Sequence, residues 1–139
     1  MKVISFILFI SLYLTALSLN YAGDNIAMCA KNQLGKRYQN GETGPSAFDE
    51  FGLVYYCVKV YNDIPCSKNP SYQAVQGKRV INALPGDVIY EYDRRNILVG
   101  ANIYIGDNQI IYASKTEGVT KSTIYKMDVY HHYDYRRLW

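Results

Sequence analysis

Few side chains in this 139-residue chain could carry out covalent chemistry: three cysteines and two histidines are the candidates. A cysteine beside a histidine can act as a nucleophile, because the histidine removes the thiol proton. Cys57 could pair in this way with His131 or His132. However, Cys57 lies about two turns into an apolar segment, where a buried thiol is expected to be unreactive. The histidines are adjacent in a predicted strand, so at most one of them would face a given site.

Metal and nucleic-acid binding are not predicted. Neither histidine belongs to a cluster with the spacing of a zinc site, so we expect no metal, and no motif indicates a cofactor. The net charge of +3 falls to +2 without Lys2, the only charged residue among the first 22. This bias is too weak to indicate a nucleic-acid partner, and no basic cluster is interleaved with aromatic residues.

An acidic residue stands at a predicted helix start. The stretch FDEFGLVYYC (48–57) follows a loop rich in turn-forming residues, and either Ser46 or Asp49 can cap the helix. Glu50 would then lie in the first turn. Free backbone N–H groups and the helix dipole favour negative charge there, and they can also hold a reactive thiolate. A carboxylate is a poor nucleophile toward an acyl group, so this position indicates binding or structure rather than covalent catalysis.

The elements around these residues predict an α+β fold. Asp24 can cap a first helix, and a second, nearly all-apolar helix runs to about Tyr61, where it should be buried on most sides. Alternating apolar residues and turn signals then predict a five-stranded antiparallel sheet. Its strands are expected at 88–92, 97–105, 109–114, 119–124 and 129–138. Arg136 and Arg137 would lie exposed at the end of the last strand.

The first residues have the pattern of a secretory signal. Lys2 is followed by an apolar run and then by small residues, so we predict a signal over residues 1–22, a single domain over 23–139 and a secreted protein. The triplet Ala16-Leu17-Ser18 offers a second cleavage site. An uncleaved membrane anchor is the alternative, because the run approaches the length of a spanning helix. After cleavage no membrane association is expected.

A secreted chain permits disulfide bonds, and the number of cysteines is odd. Cys29 and Cys57 lie in two helices that are predicted to pack together, which favours that pair over pairs with Cys66. The alternative is that both are buried free thiols, which behave as small apolar side chains.

A series of short motifs follows a recognisable order along the chain. They are Leu34-Gly35, Tyr38, Gly44-Pro45, FDEFGLV (48–54), Leu84-Pro85-Gly86-Asp87, Ile103-Tyr104-Ile105-Gly106 and Ile111-Tyr112-Ala113-Ser114. The series resembles the NlpC family, papain-like cysteine peptidases that cut the peptide stems of bacterial peptidoglycan. The resemblance covers residues 26–139. It implies N-terminal helices packed on the antiparallel sheet and a groove between the two.

The resemblance also locates the departures from the family. The family's nucleophilic cysteine falls on Glu50, its general-base histidine on Gly100, and the residue that orients the base on Tyr112. With all three replaced, the covalent mechanism is lost. The chain is therefore expected to be a pseudoenzyme without catalytic residues. Candidates for lining the groove are Tyr38, Asp49 and Phe51.

Three functions remain open on these grounds. The first is a secreted, inactive NlpC-like domain that binds peptidoglycan or its stem peptides. The second is a cell-wall hydrolase with relocated groups, such as Cys57 with a histidine, or Glu50 as a general base. The third is a module that binds a protein partner through a tyrosine-rich sheet, since the chain contains 15 tyrosines.

Overall fold

The computed structural model describes residues 2–139, with the exception of the side chains of residues 16–20. The helices are α1 (Lys2–Asn32), α2 (Glu50–Tyr55), a π-helix that continues α2 (Tyr56–Val60), α3 (Pro70–Gln73) and a 3-10 helix (Ile124–Lys126). The strands are β1 (Arg37–Tyr38), β2 (Ala47–Phe48), β3 (Lys78–Arg79), β4 (Val88–Tyr92), β5 (Leu98–Gly106), β6 (Gln109–Ser114), β7 (Gly118–Thr123) and β8 (His132–Arg137).

Helix α1 is continuous from the predicted signal into the domain. Residues 2–15 are exposed, whereas the helix is buried from Gly23 onward at the positions that face the core. Asp24 therefore lies inside the helix, and the prediction that it caps a helix start is wrong for this chain. The triplet at 16–18 lies where side chains are not described. Within the described residues, no helix combines the length and hydropathy that a membrane crossing requires.

The main sheet has six strands in the order β3-β8-β4-β5-β6-β7, and every neighbouring pair is antiparallel. The prediction of five strands is wrong by one. The additional strand is β3, which pairs Lys78 with Arg137 and Arg79 with Arg136. Two residues are too short a segment to show the alternation by which a strand is predicted. A separate pair of short parallel strands joins β1 to β2.

The helices pack on one face of this sheet. Buried side chains from α1, α2 and the π-helix meet apolar residues of β4 to β7, and Cys29 of α1 is disulfide-bonded to Cys57 of the π-helix. The most deeply buried members are Ile26, Phe48, Leu53, Val54, Val58, Val88, Tyr90, Ile103 and Ile111. The bond is the pairing that the sequence favours, and it holds the two helices together beneath the sheet.

A connection of eight residues covers part of the opposite face. We call residues 124–131, which lead from β7 to β8, the strap. Since β7 and β8 lie apart in the sheet, the strap has to pass β6, β5 and β4. It is held at Ile124, whose N–H donates to the Asn108 carbonyl (2.9 Å), and at Asp128, whose carbonyl accepts from the Tyr133 hydroxyl (2.8 Å).

Candidate functional site

The start of α2 is fixed by the side chain of Asp49. One carboxylate oxygen accepts from the N–H groups of Phe51 (3.1 Å) and Gly52 (2.6 Å), and the other accepts from the N–H of Gly41 (2.8 Å). The sequence predicts either Ser46 or Asp49 as the cap, and in the structure the cap is Asp49. Because both oxygens bind the backbone, Asp49 acts as a structural residue at the rim of the candidate groove.

Glu50, the predicted counterpart of the family's nucleophile, is the first residue of α2. Its Oε2 accepts a hydrogen bond from the Tyr38 hydroxyl (3.0 Å), and its Oε1 lies 4.0 Å from Lys115 Nζ. The Glu50 side chain is 17% exposed. Burial, followed by the hydrogen bond to Glu50, raises the pKa of Tyr38 to about 12, so the hydroxyl remains a donor at neutral pH. Tyr38 and Glu50 therefore form one polar group, and a carboxylate oxygen stays accessible.

Phe51, the third groove candidate, packs against the core. Its ring is partly buried against the hydrophobic cluster, and its carbonyl accepts from Gln73 Nε2 (3.1 Å). Gln73 also accepts from the hydroxyl of the buried Tyr90 (3.1 Å). The first turn of α2 is thus tied to the centre of the sheet by a buried polar chain. Phe51 adds apolar surface next to Glu50 and has no hydrogen-bonding side chain to offer a ligand.

Gly100, the predicted counterpart of the family's general base, lies beside a second carboxylate. Gly100 pairs with Glu91 across β5 and β4, and a Cβ atom at Gly100 would lie 3.2 Å from Glu91 Oε2. Direct partners in an antiparallel ladder share one face of the sheet. Since Tyr90 points into the core, Glu91 and Gly100 face the strap side. The space that a larger side chain at 100 would enter is therefore taken by Glu91.

Glu91 is in turn held by His131 of the strap. Glu91 Oε1 lies 2.5 Å from His131 Nδ1, and His131 Nε2 lies 3.6 Å from Asp128 Oδ2. The hydrogen bond to Glu91 is the main reason that the pKa of His131 is raised. His132 points the other way and stacks on Tyr92 with ring centroids 5.0 Å apart. The two histidines therefore face opposite sides, as their adjacency predicts.

Tyr112 lies under the strap, near Glu91. Both residues line a cavity of about 180 Å³ with Lys126, Met127 and Asp128 of the strap, and with Ile110, Ser122 and Thr123 of the sheet. Burial, together with the negative charges of Glu117 and Glu91, raises the pKa of the Tyr112 hydroxyl. Of the three positions predicted to correspond to the family's catalytic residues, 100 and 112 thus share the surroundings of Glu91. Glu50 contacts a different pair, Tyr38 and Lys115.

The cysteines offer no replacement nucleophile. The Sγ atom of Cys57 is bonded to that of Cys29, which contradicts a relocated site built from Cys57 and a histidine. Cys66 is the free cysteine among residues 2–139, and burial raises its pKa to about 12. A thiol of that pKa is protonated at neutral pH and is a weak nucleophile. Among the described residues no group of three or more His, Cys, Asp or Glu side chains could hold a metal ion.

The sequence alone does not predict that two further residues contact this region. Glu91 lies within the strand predicted at 88–92, and Lys115 lies between the strands predicted at 109–114 and 119–124. Glu91 meets Gly100 through the β4–β5 register, and Lys115 reaches Glu50 from a point 65 positions further along the chain. Such contacts follow from tertiary topology, which local patterns do not encode.

Comparison with known proteins identifies the family. The NlpC/P60 family model matches residues 35–137. Gamma-DL-glutamyl hydrolase from Bacillus subtilis (strain 168) is 33% identical over 106 residues, which are 73% of this chain and 25% of that protein. The chain thus spans about a quarter of the length of this curated relative.

Solved structures agree with this assignment. NlpC1 from Trichomonas vaginalis is 30% identical, with a TM-score of 0.74 over 84% of this chain and 44% of that chain. The NlpC/p60 domain of the peptidoglycan hydrolase SagA has a TM-score of 0.71 over 83% of this chain and 98% of that chain. Its identity of 20% makes the likeness one of fold alone. The chain belongs to the NlpC/P60 family and has the papain-like α+β fold of that family.

Proposed function

We propose that this chain is a secreted, catalytically inactive NlpC/P60 domain that binds peptidoglycan or its stem peptides. The observation that carries the proposal is Glu50 at the first residue of α2, where the resemblance places the nucleophilic cysteine. The Glu50 carboxylate is hydrogen-bonded to Tyr38 and lies near Lys115. A carboxylate held in this way is a poor nucleophile toward an amide carbonyl, so the acyl-enzyme route of a cysteine peptidase is closed.

The residues of strands β5 and β6 support the same proposal. Gly100 has no side chain to act as a base, and Tyr112 offers a hydroxyl with a raised pKa in place of a histidine. His131 is the nearest imidazole to this region by its contact with Glu91, yet both of its ring nitrogens lie near carboxylates. Gly100 and Tyr112 therefore offer no imidazole, and Glu50 offers no thiolate.

The ligand class follows from the relatives and from the charge of Glu50. One relative is a gamma-DL-glutamyl hydrolase by name, which supports a peptide as ligand. Stem peptides offer amino groups, which are protonated at neutral pH. The partly exposed Glu50 carboxylate can accept a hydrogen bond from such an ammonium group. This bond is charge-assisted and therefore stronger than a neutral one. Phe51 and Tyr38 would flank that contact with aromatic surface.

Secretion rests on the first 22 residues. We propose that they are removed as a signal peptide, because α1 is exposed over residues 2–15 and becomes buried from Gly23 onward. N-terminal sequencing of protein recovered from the medium should begin at Gly23. A mature chain that still contains Lys2 would support the membrane-anchor alternative.

Binding and cleavage should be tested on the same sample. Folded protein is incubated with purified peptidoglycan, and both retention on the pellet and the released muropeptides are measured, the latter by mass spectrometry. We expect retention without cleavage. A folded sample that is not retained contradicts the proposal. Cleavage that Glu50→Gln abolishes would support the hydrolase alternative in which Glu50 is a general base.

The tyrosine-sheet alternative has less support. Of the tyrosines in the six-stranded sheet, Tyr90 is buried and the others are only partly exposed: Tyr92, Tyr104, Tyr112, Tyr133 and Tyr135. A protein-binding tyrosine patch would require several of these rings at the surface. The arrangement instead suits tyrosines that pack the two faces of the sheet.

A further inference from the structure

Part of the outer edge of β8 has no neighbouring strand among the described residues. β3 pairs with β8 at Arg136 and Arg137, and the N–H of Val80 adds one more bond to the carbonyl of Tyr135 (2.9 Å). The chain then turns back toward the C-terminal end of β8, where the Asn82 carbonyl accepts from Arg137 Nη2 (3.5 Å). The first half of β8, His132 to Asp134, is left uncovered on this side.

The backbone of this open edge is directed outward at Tyr133. The other side of β8 pairs with β4 along its length. In an antiparallel sheet the N–H and C=O groups of alternate residues point to alternate neighbours. Since the Tyr135 carbonyl points toward β3, the N–H and C=O of Tyr133 point toward the same, open side. One donor and one acceptor are therefore available to an added strand.

A groove follows this edge. Its volume is about 480 Å³, and it is lined by Arg79, Val80, Tyr92, Asn96 and residues 132–135 of β8. The stacked rings of Tyr92 and His132 form one wall, and Arg79 stands at the end nearest β3. The open half of β8 spans three residues, which is about 10 Å of extended chain. The groove thus has the length and volume for a short extended peptide.

The charge of the groove favours an acidic occupant. Asp134 is already bound by two guanidinium groups, with Arg79 Nε at 2.7 Å and Arg136 Nε at 2.9 Å from its carboxylate oxygens. This cluster carries one uncompensated positive charge. The side chain of Arg79 is 73% exposed, so its guanidinium can also meet a carboxylate in the groove. An acidic side chain would complement that charge.

We propose that an extended, acidic peptide segment of a partner protein adds as a strand to the open edge of β8. The residue opposite Tyr133 exchanges two backbone hydrogen bonds with it, and an Asp or Glu side chain next to that residue binds Arg79. Main-chain bonds supply affinity in this mode of recognition, and side-chain contacts supply specificity. This interaction is independent of the site around Glu50.

A random peptide display library selected on the folded chain tests this surface. We expect the enriched peptides to contain an Asp or Glu flanked by β-branched residues. Arg79→Glu should weaken binding of a selected peptide by about tenfold or more, because it reverses the charge that the peptide meets. Arg94→Glu is the matched control, since Arg94 is exposed on the β4–β5 turn, stacks on Tyr130 and does not line this groove.

Two further measurements separate strand addition from simple charge attraction. Amide hydrogen exchange at Tyr133 should slow when a selected peptide is added, and N-methylation at one peptide position should abolish binding while its neighbours tolerate it. If Arg79→Glu does not fold, Arg79→Gln should still weaken binding. Selected peptides without acidic residues, equal binding to the Arg79 variants, or an unchanged Tyr133 amide would each overturn the proposal. Dimerisation of the chain through this edge would also overturn it, in favour of a second copy as the occupant.

Discussion

The side of α2 that packs on the sheet and the N-terminal end of α2 differ in burial. The side that faces the sheet carries Leu53 and Val54, which are fully buried, and the π-helix adds the disulfide from Cys57 to Cys29. The N-terminal end carries Glu50 and Phe51, which are partly exposed. The packing side fits the family pattern, whereas under the proposed function the N-terminal end departs from it.

This difference shows that the demands of packing and of catalysis fall on separate residues of one short helix. Asp49 caps the helix with backbone hydrogen bonds that do not depend on the residue at 50. Leu53 and Val54 bury apolar surface whichever side chain stands at the helix start. A change of the residue at position 50 can therefore leave the fold intact. We expect changes on the packing side to lower stability, and changes at the chemical end to alter binding.

The largest effect is expected from removal of the disulfide bond. Replacing both Cys29 and Cys57 by serine opens a loop of sequence separation 28. The free energy of unfolding should fall by about 3 kcal/mol, since the unfolded chain regains the conformational freedom that the bond removed. Urea unfolding measures this change. Cys66→Ser is the control, because Cys66 is not bonded, and an equal loss in the control would contradict the assignment.

A smaller loss is expected at Gly52, in the first turn of α2. A Cβ atom at this position would collide with the backbone carbonyl of Glu42, in the loop that Asp49 ties to the helix. Gly52→Ala should lower the free energy of unfolding by about 2 kcal/mol, because backbone cannot move aside as easily as a side chain.

Gly100→Ala, in strand β5, is the matched control. Its added Cβ atom would meet only the side chain of Glu91, at 3.2 Å from a carboxylate oxygen that can move. The change in unfolding free energy should stay within about 1 kcal/mol. A larger loss of unfolding free energy in Gly100→Ala than in Gly52→Ala would contradict this expectation. It would mean that close packing at the start of α2 does not limit stability.

Local signals in the sequence predict the start of α2 well. The acidic residue before an apolar run marks the cap, and Gly52 indicates a close approach that the structure shows at Glu42. The strands β4 to β7 also follow from alternation and turn residues. In each case the physical cause acts within a few residues, so it can be read from neighbouring positions.

Contacts between distant segments could not be predicted in the same way. Arg136 and Arg137 were expected to be exposed, yet Arg137 binds both carboxylate oxygens of the fully buried Asp87, at 2.7 and 2.8 Å. The pair of Glu91 and His131 joins residues 40 positions apart. Both contacts depend on where β8 enters the sheet, between β3 and β4. A sequence pattern predicts the strand but not its position in the strand order of the sheet.

At the chemical end of α2, we expect Glu50→Gln to alter binding but not folding. The amide keeps a hydrogen-bond acceptor for Tyr38 and removes the negative charge. Retention on peptidoglycan should fall by about tenfold, the size typical of losing one partner of a charged contact, while the unfolding midpoint changes little. Asp107→Asn, in the exposed β5–β6 turn, is the control for loss of one carboxylate. Unchanged retention in Glu50→Gln would show that Glu50 does not contact the ligand.

The smallest effect is expected at the strap, where His131 meets Glu91 across the face that carries Gly100. The pKa of His131 is raised, first by its hydrogen bond to Glu91 and also by the charges of Asp128 and Asp93. Arg94 and Arg95 line the same cavity as His131. Because the folded pKa lies above the ordinary value of about 6.5, the pair stabilises the protein fully below that pH.

That contribution is lost as the pH rises through the folded pKa of His131. Urea unfolding at pH 5.5 and pH 8.5 should therefore show a larger difference between wild type and His131→Gln at the lower pH. His132→Gln is the matched control, since it removes the ring that stacks on Tyr92 and leaves the pair with Glu91 in place. A difference that is the same at both pH values would mean that the charge of His131 does not help to hold the strap. The face of the sheet that carries Gly100 would then resemble the packing side of α2, in being stabilised without a charged contact.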